Sequence, residues 1–208
     1  MNTDKQIRLF HFFLVSDYRY GRGPHRVNFQ VNYSFGNSRM TKSFTIELAP
    51  DHMMPHSVLT FLDAVSAKFY DGYAFAHSTD QLIVIKDSDE RTKPTIYQRS
   101  IKTLHDNPLI FQEYNPKFPH KEMTLGFLGK KLGGPSFYIS KKDNSDAHAF
   151  DPSLKDEHGF PQKPGEPCFA KVIQGFETIH EIDHLLVSNQ QAHNQQVKLE
   201  IKSAKIIF

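Results

Sequence analysis

The chain has 208 residues and a mass of 24.0 kDa, which is enough for one domain with a sizeable hydrophobic core. Hydrophobic residues make up 38% and charged residues 23%, a balance that excludes an intrinsically disordered chain. The 25 basic residues nearly match the 23 acidic ones, so we expect no nucleic-acid partner. Cys168 is the only cysteine, which excludes an intramolecular disulfide and a cysteine-built zinc site and slightly favours a reducing compartment such as the cytoplasm.

Residues 1–25 are interpreted as an N-terminal arm. Their apolar run at residues 9–15 is too short to span a bilayer and lacks a signal-peptide cleavage pattern. Two glycines and a proline near the end of residues 17–24 predict a loop there. We therefore expect no membrane span in this chain and an arm that packs on the domain formed by residues 26–208.

The first half of that domain shows clear periodic patterns. Residues 26–49 alternate between apolar and polar side chains around a turn, which predicts a β-hairpin. Pro55 can occupy the first position of a helix, and the apolar residues that follow it fall on one helical face. Strand patterns resume at residues 73–75 and 82–85.

The second half alternates long loops with short elements. Polar stretches at residues 86–121 and 141–167 predict loops, and residues 176–185 predict a second helix. Further strands are predicted at residues 123–129, 137–139, 168–172 and 197–201. About eight short strands in neighbouring runs with two helices favour an antiparallel barrel with helical caps.

Five motifs stand in order along this framework: FTIELAPD at 44–51, FYDG at 69–72, FQE at 111–113, GPSFYIS at 134–140 and FAKVIQG at 169–175. Together they resemble the cyclophilin family of peptidyl-prolyl cis-trans isomerases over roughly residues 26–207. The resemblance implies a mainly β fold, a closed eight-stranded antiparallel barrel capped by two α-helices. It implies no cofactor.

The resemblance also assigns positions in a peptide groove. The family binds the twisted form of an X–Pro bond more tightly than either planar form, and uses an Arg, a positioning Gln and an apolar pocket. In this chain His77 stands at the position of the Arg and Ile85 at that of the Gln, while Leu82 and Ile83 replace a pocket Phe and Met. The remaining groove candidates are Leu125, Gly126, Ser136, Tyr138 and Glu166.

These replacements remove hydrogen-bond donors from the groove. His77 is shorter than an arginine and lacks its forked donors, and the side chain of Ile85 makes no hydrogen bond. We therefore expect a monomeric module that binds a proline-containing peptide or protein segment, with little or no isomerase activity and no assigned catalytic residue. The alternative is an active but weak or unusually specific isomerase.

Residues 180–184 form the sequence HEIDH, which matches the HExxH pattern of zinc metallopeptidases. The spacing of four places His180 and His184 on one helical face, with Glu181 as a possible base. A catalytic zinc site needs a third ligand, and the sequence offers no clear one: Gln190 stands where the longer form of the motif has a histidine. We therefore predict no metal site and keep a zinc hydrolase as a third hypothesis.

Overall fold

The computed structural model describes residue 12 and residues 14–87, 113–128, 136–155, 161–191 and 197–207. The strands of this part are β1 (Arg26–Phe35), β2 (Ser38–Leu48), β3 (Tyr73–Ser78), β4 (Leu82–Asp87), β5 (Thr124–Phe127), β6 (Phe137–Ser140), β7 (Phe150–Lys155), β8 (Pro161–Pro164), β9 (Cys168–Gln174) and β10 (Lys198–Ile207). The two helices bounded within it are α1 (Pro55–Ser66) and α2 (Phe176–Gln191).

Eight strands close into a barrel in the order β1-β10-β3-β4-β6-β5-β9-β2. All of the neighbouring pairs are antiparallel. This confirms the predicted fold class. The two helices cover the barrel with apolar faces, α1 through Val58, Phe61 and Leu62 and α2 through Ile179 and Ile182, and each of these five side chains is at most 1% exposed.

Aromatic rings fill the barrel interior. Phe61 of α1 lies 4.7 Å, between ring centroids, from Phe169 of β9, and Phe127 stacks on Phe169 at 4.2 Å. Phe29 stacks on Phe44 across the β1–β2 pair at 4.9 Å. Such contacts add stability beyond the area that the rings bury. Among the described residues, seven of the 18 phenylalanines of the sequence belong to this core: Phe29, Phe44, Phe61, Phe75, Phe127, Phe137 and Phe169.

The predicted loop at residues 141–167 was wrong in part, because β7 and β8 pair there as a separate two-stranded sheet. Apolar and polar residues alternate along a strand when one of its faces is buried and the other is exposed. Phe150 and Leu154 are 42% and 47% exposed, so this sheet does not produce that pattern. Of the other predicted loop, residues 88–112 lie outside the described part, and residues 113–121 contain neither helix nor strand.

The arm also differs from its prediction, because residues 14–20 are helical. The helix ends at Gly21, which has a positive φ of 78° and donates its N–H to the Asp17 carbonyl oxygen. The loop signal came from the residues beyond that point. The Arg19 guanidinium and the Tyr20 hydroxyl both bind the Asp63 carboxylate of α1, at 3.0 and 2.5 Å. The division into an arm at 1–25 and a domain at 26–208 stays a prediction.

Within the described residues, no helix combines the length and the apolar character needed to cross a membrane.

Candidate functional site

A row of register partners crosses the outer surface of the barrel over strands β3, β4, β6, β5 and β9. This outer row consists of His77, Val84, Tyr138, Gly126 and Cys168, each paired with the next. Directly paired residues of antiparallel strands present their side chains on the same face. The outer row therefore brings together His77, Gly126 and Tyr138, three of the residues that the sequence assigned to a groove.

Three other candidates point the opposite way. Ile83, Ile85 and Leu125 are at most 1% exposed and belong to the hydrophobic core. Ile85 pairs with Phe137 of the core, whereas the neighbouring Val84 belongs to the outer row. Ile83, Ile85 and Leu125 therefore stabilise the barrel. Their side chains do not contribute to a groove on its outer surface.

The last three candidates lie around the outer row. Leu82 and Ser136 are half-buried and alternate with the core residues of β4 and β6, which places them on the outer face. Glu166 comes from the loop between β8 and β9 and reaches Tyr138. The side chain of His77 is exposed and makes no hydrogen bond or ion pair within the described part of the chain.

Tyr138 is the centre of a polar cluster that we call the His-Tyr-Glu cluster: the buried His120 and Tyr138 and the partly buried His148 and Glu166. The Tyr138 hydroxyl donates to Glu166 Oε2 at 2.8 Å, and His148 Nδ1 lies 2.7 Å from the same oxygen. His120 Nε2 donates to the Glu166 carbonyl oxygen at 3.0 Å, which leaves His120 Nδ1 facing the Tyr138 hydroxyl at 3.5 Å. The carboxylate of Glu166 thus binds Tyr138 and His148, and the backbone carbonyl of the same residue holds His120.

Burial sets the charge state of the cluster. It raises the pKa of Tyr138 well above its ordinary value, helped by the neighbouring Glu166 carboxylate. It lowers the pKa of His120 to about 4, because the charged imidazole is disfavoured away from water. Burial also pushes the pKa of Glu166 upward, but hydrogen bonds and charge from His148 and the Tyr138 hydrogen bond outweigh it and hold that pKa below its ordinary value. At neutral pH the cluster therefore holds a neutral phenol, a neutral His120 and an ionised carboxylate.

The cluster occupies the space above Gly126. A Cβ atom at residue 126 would lie 2.4 Å from both Cζ and the hydroxyl oxygen of Tyr138, and 2.7 Å from Cε1 of His120. Real Cβ atoms essentially never approach a non-bonded neighbour this closely. Tyr138 and His120 are each 1% exposed, so within the described part of the chain their rings occupy the space above the glycine.

A family model described as cyclophilin type peptidyl-prolyl cis-trans isomerase/CLD matches residues 34–206. The chain belongs to this family. A crystal structure of a cyclophilin type peptidyl-prolyl cis-trans isomerase from Cryptosporidium parvum matches with a TM-score of 0.58 and 17% identity, over 88% of this chain and 98% of that chain. A structure of that isomerase in the presence of the dipeptide Ala-Pro matches with a TM-score of 0.56 and 18% identity, over 86% of this chain and 99% of that chain. Comparison with curated protein sequences gives no match.

Four residues of this candidate site were missed from the sequence: Val84, His120, His148 and Cys168. Val84 lies in an unbroken apolar run, so no alternation distinguishes its outer position. His120 and His148 lie in loops without periodicity, and a backbone hydrogen bond from Asn144 to the His120 carbonyl brings those loops together at 2.8 Å. Burial raises the pKa of the Cys168 thiol to about 12, which makes it a weak nucleophile at neutral pH.

The HEIDH motif lies on α2, and none of its residues belongs to the outer row or to the His-Tyr-Glu cluster. The Glu181 carboxylate binds Lys42, and Asp183 binds the Ser78 hydroxyl at 2.5 Å and Lys141 at 2.8 Å. Ile182 is fully buried against the barrel. Among the described residues, no three His, Cys, Asp or Glu side chains are grouped closely enough to hold a metal ion. The motif's acidic residues therefore connect α2 to the barrel.

Proposed function

We propose that this cyclophilin is a peptide- or protein-binding module with little or no prolyl-isomerase activity. The observation that supports this most strongly is the hydrogen bond from Tyr138 to Glu166, which holds the tyrosine ring above Gly126. The family resemblance assigns this position to the apolar pocket that receives a proline ring. In this chain the position contains the protein's own polar side chains.

A proline ring would have to displace the Tyr138 ring to enter. The displacement would separate the Tyr138 hydroxyl from Glu166 and uncover the space beside His120. A buried polar group that loses its partner costs about 1–3 kcal/mol, and more when it is charged. An apolar proline ring offers no hydrogen bond in return. The closed pocket therefore opposes proline binding energetically as well as sterically.

The outer row also lacks the donor that the family's chemistry uses. His77 cannot form the paired hydrogen bonds of a guanidinium. The four described arginines lie elsewhere: Arg19, Arg22 and Arg26 pair with Asp63, Asp17 and Glu47, and Arg39 is exposed near the start of β2. Without such a donor, the barrier of about 18–20 kcal/mol to rotation of a peptide bond is lowered less.

The surface that remains for a partner is the part of the outer face beside the His-Tyr-Glu cluster. His77 is exposed, and Leu82 and Ser136 are half-buried on the same face. A proline-containing segment of a partner protein could lie along this face without entering the filled pocket. The competing function is a weak or unusually selective isomerase, which is favoured by the outer row itself, because it keeps His77 and Tyr138 on one face.

An isomerisation assay with a short X–Pro peptide separates the two functions. We expect the wild-type rate to lie at least about a hundredfold below that of an ordinary cyclophilin, a barrier difference of about 2.7 kcal/mol. The double variant His77→Arg and Tyr138→Phe, which supplies the guanidinium and releases the ring from Glu166, should raise the rate. His184→Arg, an exposed change on α2, is the matched control and should leave it unchanged. Wild-type turnover at the level of an ordinary cyclophilin would overturn the proposal.

A further inference from the structure

A cavity lies outside the His-Tyr-Glu cluster and plays no part in the proposed function. It has a volume of about 550 Å³ and lies between residues 117–124, strand β9 and the beginning of α2. This size is in the range of ordinary ligand pockets. We call it the basic pocket.

The walls of the basic pocket are apolar. Phe118 and Met123 pack against the hydrophobic core from the outside, and Val172 belongs to that core. Phe176, the first residue of α2, is 41% exposed beside them. Phe176 extends the apolar lining of the hollow to the surface, and a contiguous exposed apolar patch, unlike a single exposed side chain, marks an interaction site.

The rim of the basic pocket carries an excess of positive charge. Three lysines, Lys117, Lys121 and Lys171, line it against one carboxylate, Glu122. Lys121 is paired with Asp143 outside the pocket, and Lys117 makes no ion pair within the described residues.

The remaining lysine shares its counter-ion. Lys171 Nζ lies 3.1 Å from Glu47, but the same carboxylate also binds Arg26 at 3.1 Å. One carboxylate therefore serves two cations, and the positive charge on this side of the basic pocket is only partly compensated. His180 adds a further potential donor at the α2 wall.

We propose that the basic pocket binds a short acidic peptide segment of a partner protein, with one large apolar side chain seated against Phe118, Met123 and Phe176. The acidic groups would pair with Lys117 and with the partly compensated Lys171. A polyanion without an apolar group would pair with the lysines of the rim but would leave the apolar walls of the pocket exposed to water. Glu122 and the apolar walls also disfavour a nucleic-acid backbone, which is best bound by a denser basic surface.

The test is a titration of the full chain labelled with ¹⁵N, followed by NMR. The probe is the capped pentapeptide Glu-Asp-Phe-Asp-Glu, and two control peptides carry Ala in place of Phe or Lys in place of each acidic residue. We expect saturable shifts of the amides of Met123, Lys171 and Phe176 with the probe, weaker binding at higher salt, and at least about fivefold weaker binding of either control.

Matched protein variants assign the site. Lys117→Glu should weaken the probe at least about fivefold by reversing an exposed charge, and Phe176→Ser should do the same by removing the exposed ring. Lys202→Glu, an exposed lysine on β10 outside the pocket, should leave the affinity unchanged. Both substituted pocket residues are exposed, so the variants should fold, and their far-ultraviolet circular dichroism checks this.

Three outcomes would overturn the inference: no shift of the pocket amides at millimolar probe, equal binding of the lysine peptide, or equal binding of the peptide that lacks Phe. Tighter binding of a single-stranded oligonucleotide than of the probe would also overturn it. The result is independent of the groove, because groove binding would be seen at the Gly126 amide rather than at Lys171 and Phe176.

Discussion

Replacing Gly126 by alanine should push Tyr138 away from Glu166. The added methyl would lie 2.4 Å from Cζ and from the hydroxyl oxygen of Tyr138, and 2.7 Å from His120 Cε1. The backbone of Gly126 is held in β5 between two partner strands, so it has little freedom to retreat. The tyrosine ring is the part that must move, and it can move only by stretching or breaking its 2.8 Å hydrogen bond to Glu166.

The size of the effect follows from these two contacts. Forcing a methyl into a filled site typically costs about 1–3 kcal/mol. Losing a hydrogen bond to a charged partner adds about 1.5–3 kcal/mol to this cost. Replacing glycine in a strand stabilises the folded state by roughly 0.5–1 kcal/mol, which offsets part of it. We therefore expect Gly126→Ala to lower the free energy of unfolding by about 2–5 kcal/mol.

The control is the same change in a Tyr138→Leu background, because leucine has no atoms where the methyl meets Cζ and the hydroxyl. There Gly126→Ala should cost at most about 1 kcal/mol, from the remaining His120 contact. Urea unfolding followed by circular dichroism gives the four stabilities of this double-mutant cycle. An equal cost of Gly126→Ala in both backgrounds would refute the assigned position of the Tyr138 ring.

Three further predictions concern burial and pH. Ile85→Gln should lower the free energy of unfolding by at least about 2 kcal/mol, since it buries an unpaired amide in the core, while His77→Gln on the exposed face should stay within about 0.5 kcal/mol in urea unfolding. Burial lowers the pKa of His120 and His56 to about 4. Between pH 6.5 and pH 4 the unfolded chain therefore binds protons that the folded chain does not bind, and the free energy of unfolding should fall as the pH falls over this range. His120→Gln should flatten that fall in urea midpoints measured at pH 7 and pH 5, and an unchanged slope would contradict the assigned burial. The pKa of Glu166 is lowered in the folded state, so its contribution to stability is present above the ordinary value of 4.5 and is lost as pH falls through the folded value. Glu166→Gln should remove this acid-dependent loss in urea midpoints measured at pH 5 and pH 3.

The barrel could be predicted from the sequence because its strands carry their own signals. The alternation over residues 26–49 marks the β1–β2 hairpin, and the ordered motifs identify the family that the model match confirms. The sequence could not predict which residues of β4 face outward. Its residues Leu82, Ile83, Val84 and Ile85 are all apolar, so they show no alternation. The pairing of Val84 with Tyr138 settles it, and that information is tertiary.

Only two of the four residues of the His-Tyr-Glu cluster could be predicted from the sequence, because the position of the other two also depends on tertiary contacts. Tyr138 and Glu166 could be assigned through motifs on β6 and before β9, but His120 and His148 lie in loops that no pattern connects. Nothing in a sequence with 12 histidines distinguishes these two. Their position follows from the backbone contact between the two loops and from Glu166, whose backbone carbonyl binds His120 and whose carboxylate binds His148.

The central claim is that the pocket above Gly126 is filled by Tyr138 and does not receive proline. Titration of ¹⁵N-labelled protein with the dipeptide Ala-Pro tests it directly, with the Gly126 and Val84 amides as reporters on either side of the ring. We expect neither amide to shift at millimolar dipeptide, because the Tyr138 hydroxyl stays on Glu166. Saturable shifts of both amides, lost in a His77 variant or enhanced by Tyr138→Phe, would show an accessible proline pocket and contradict the account.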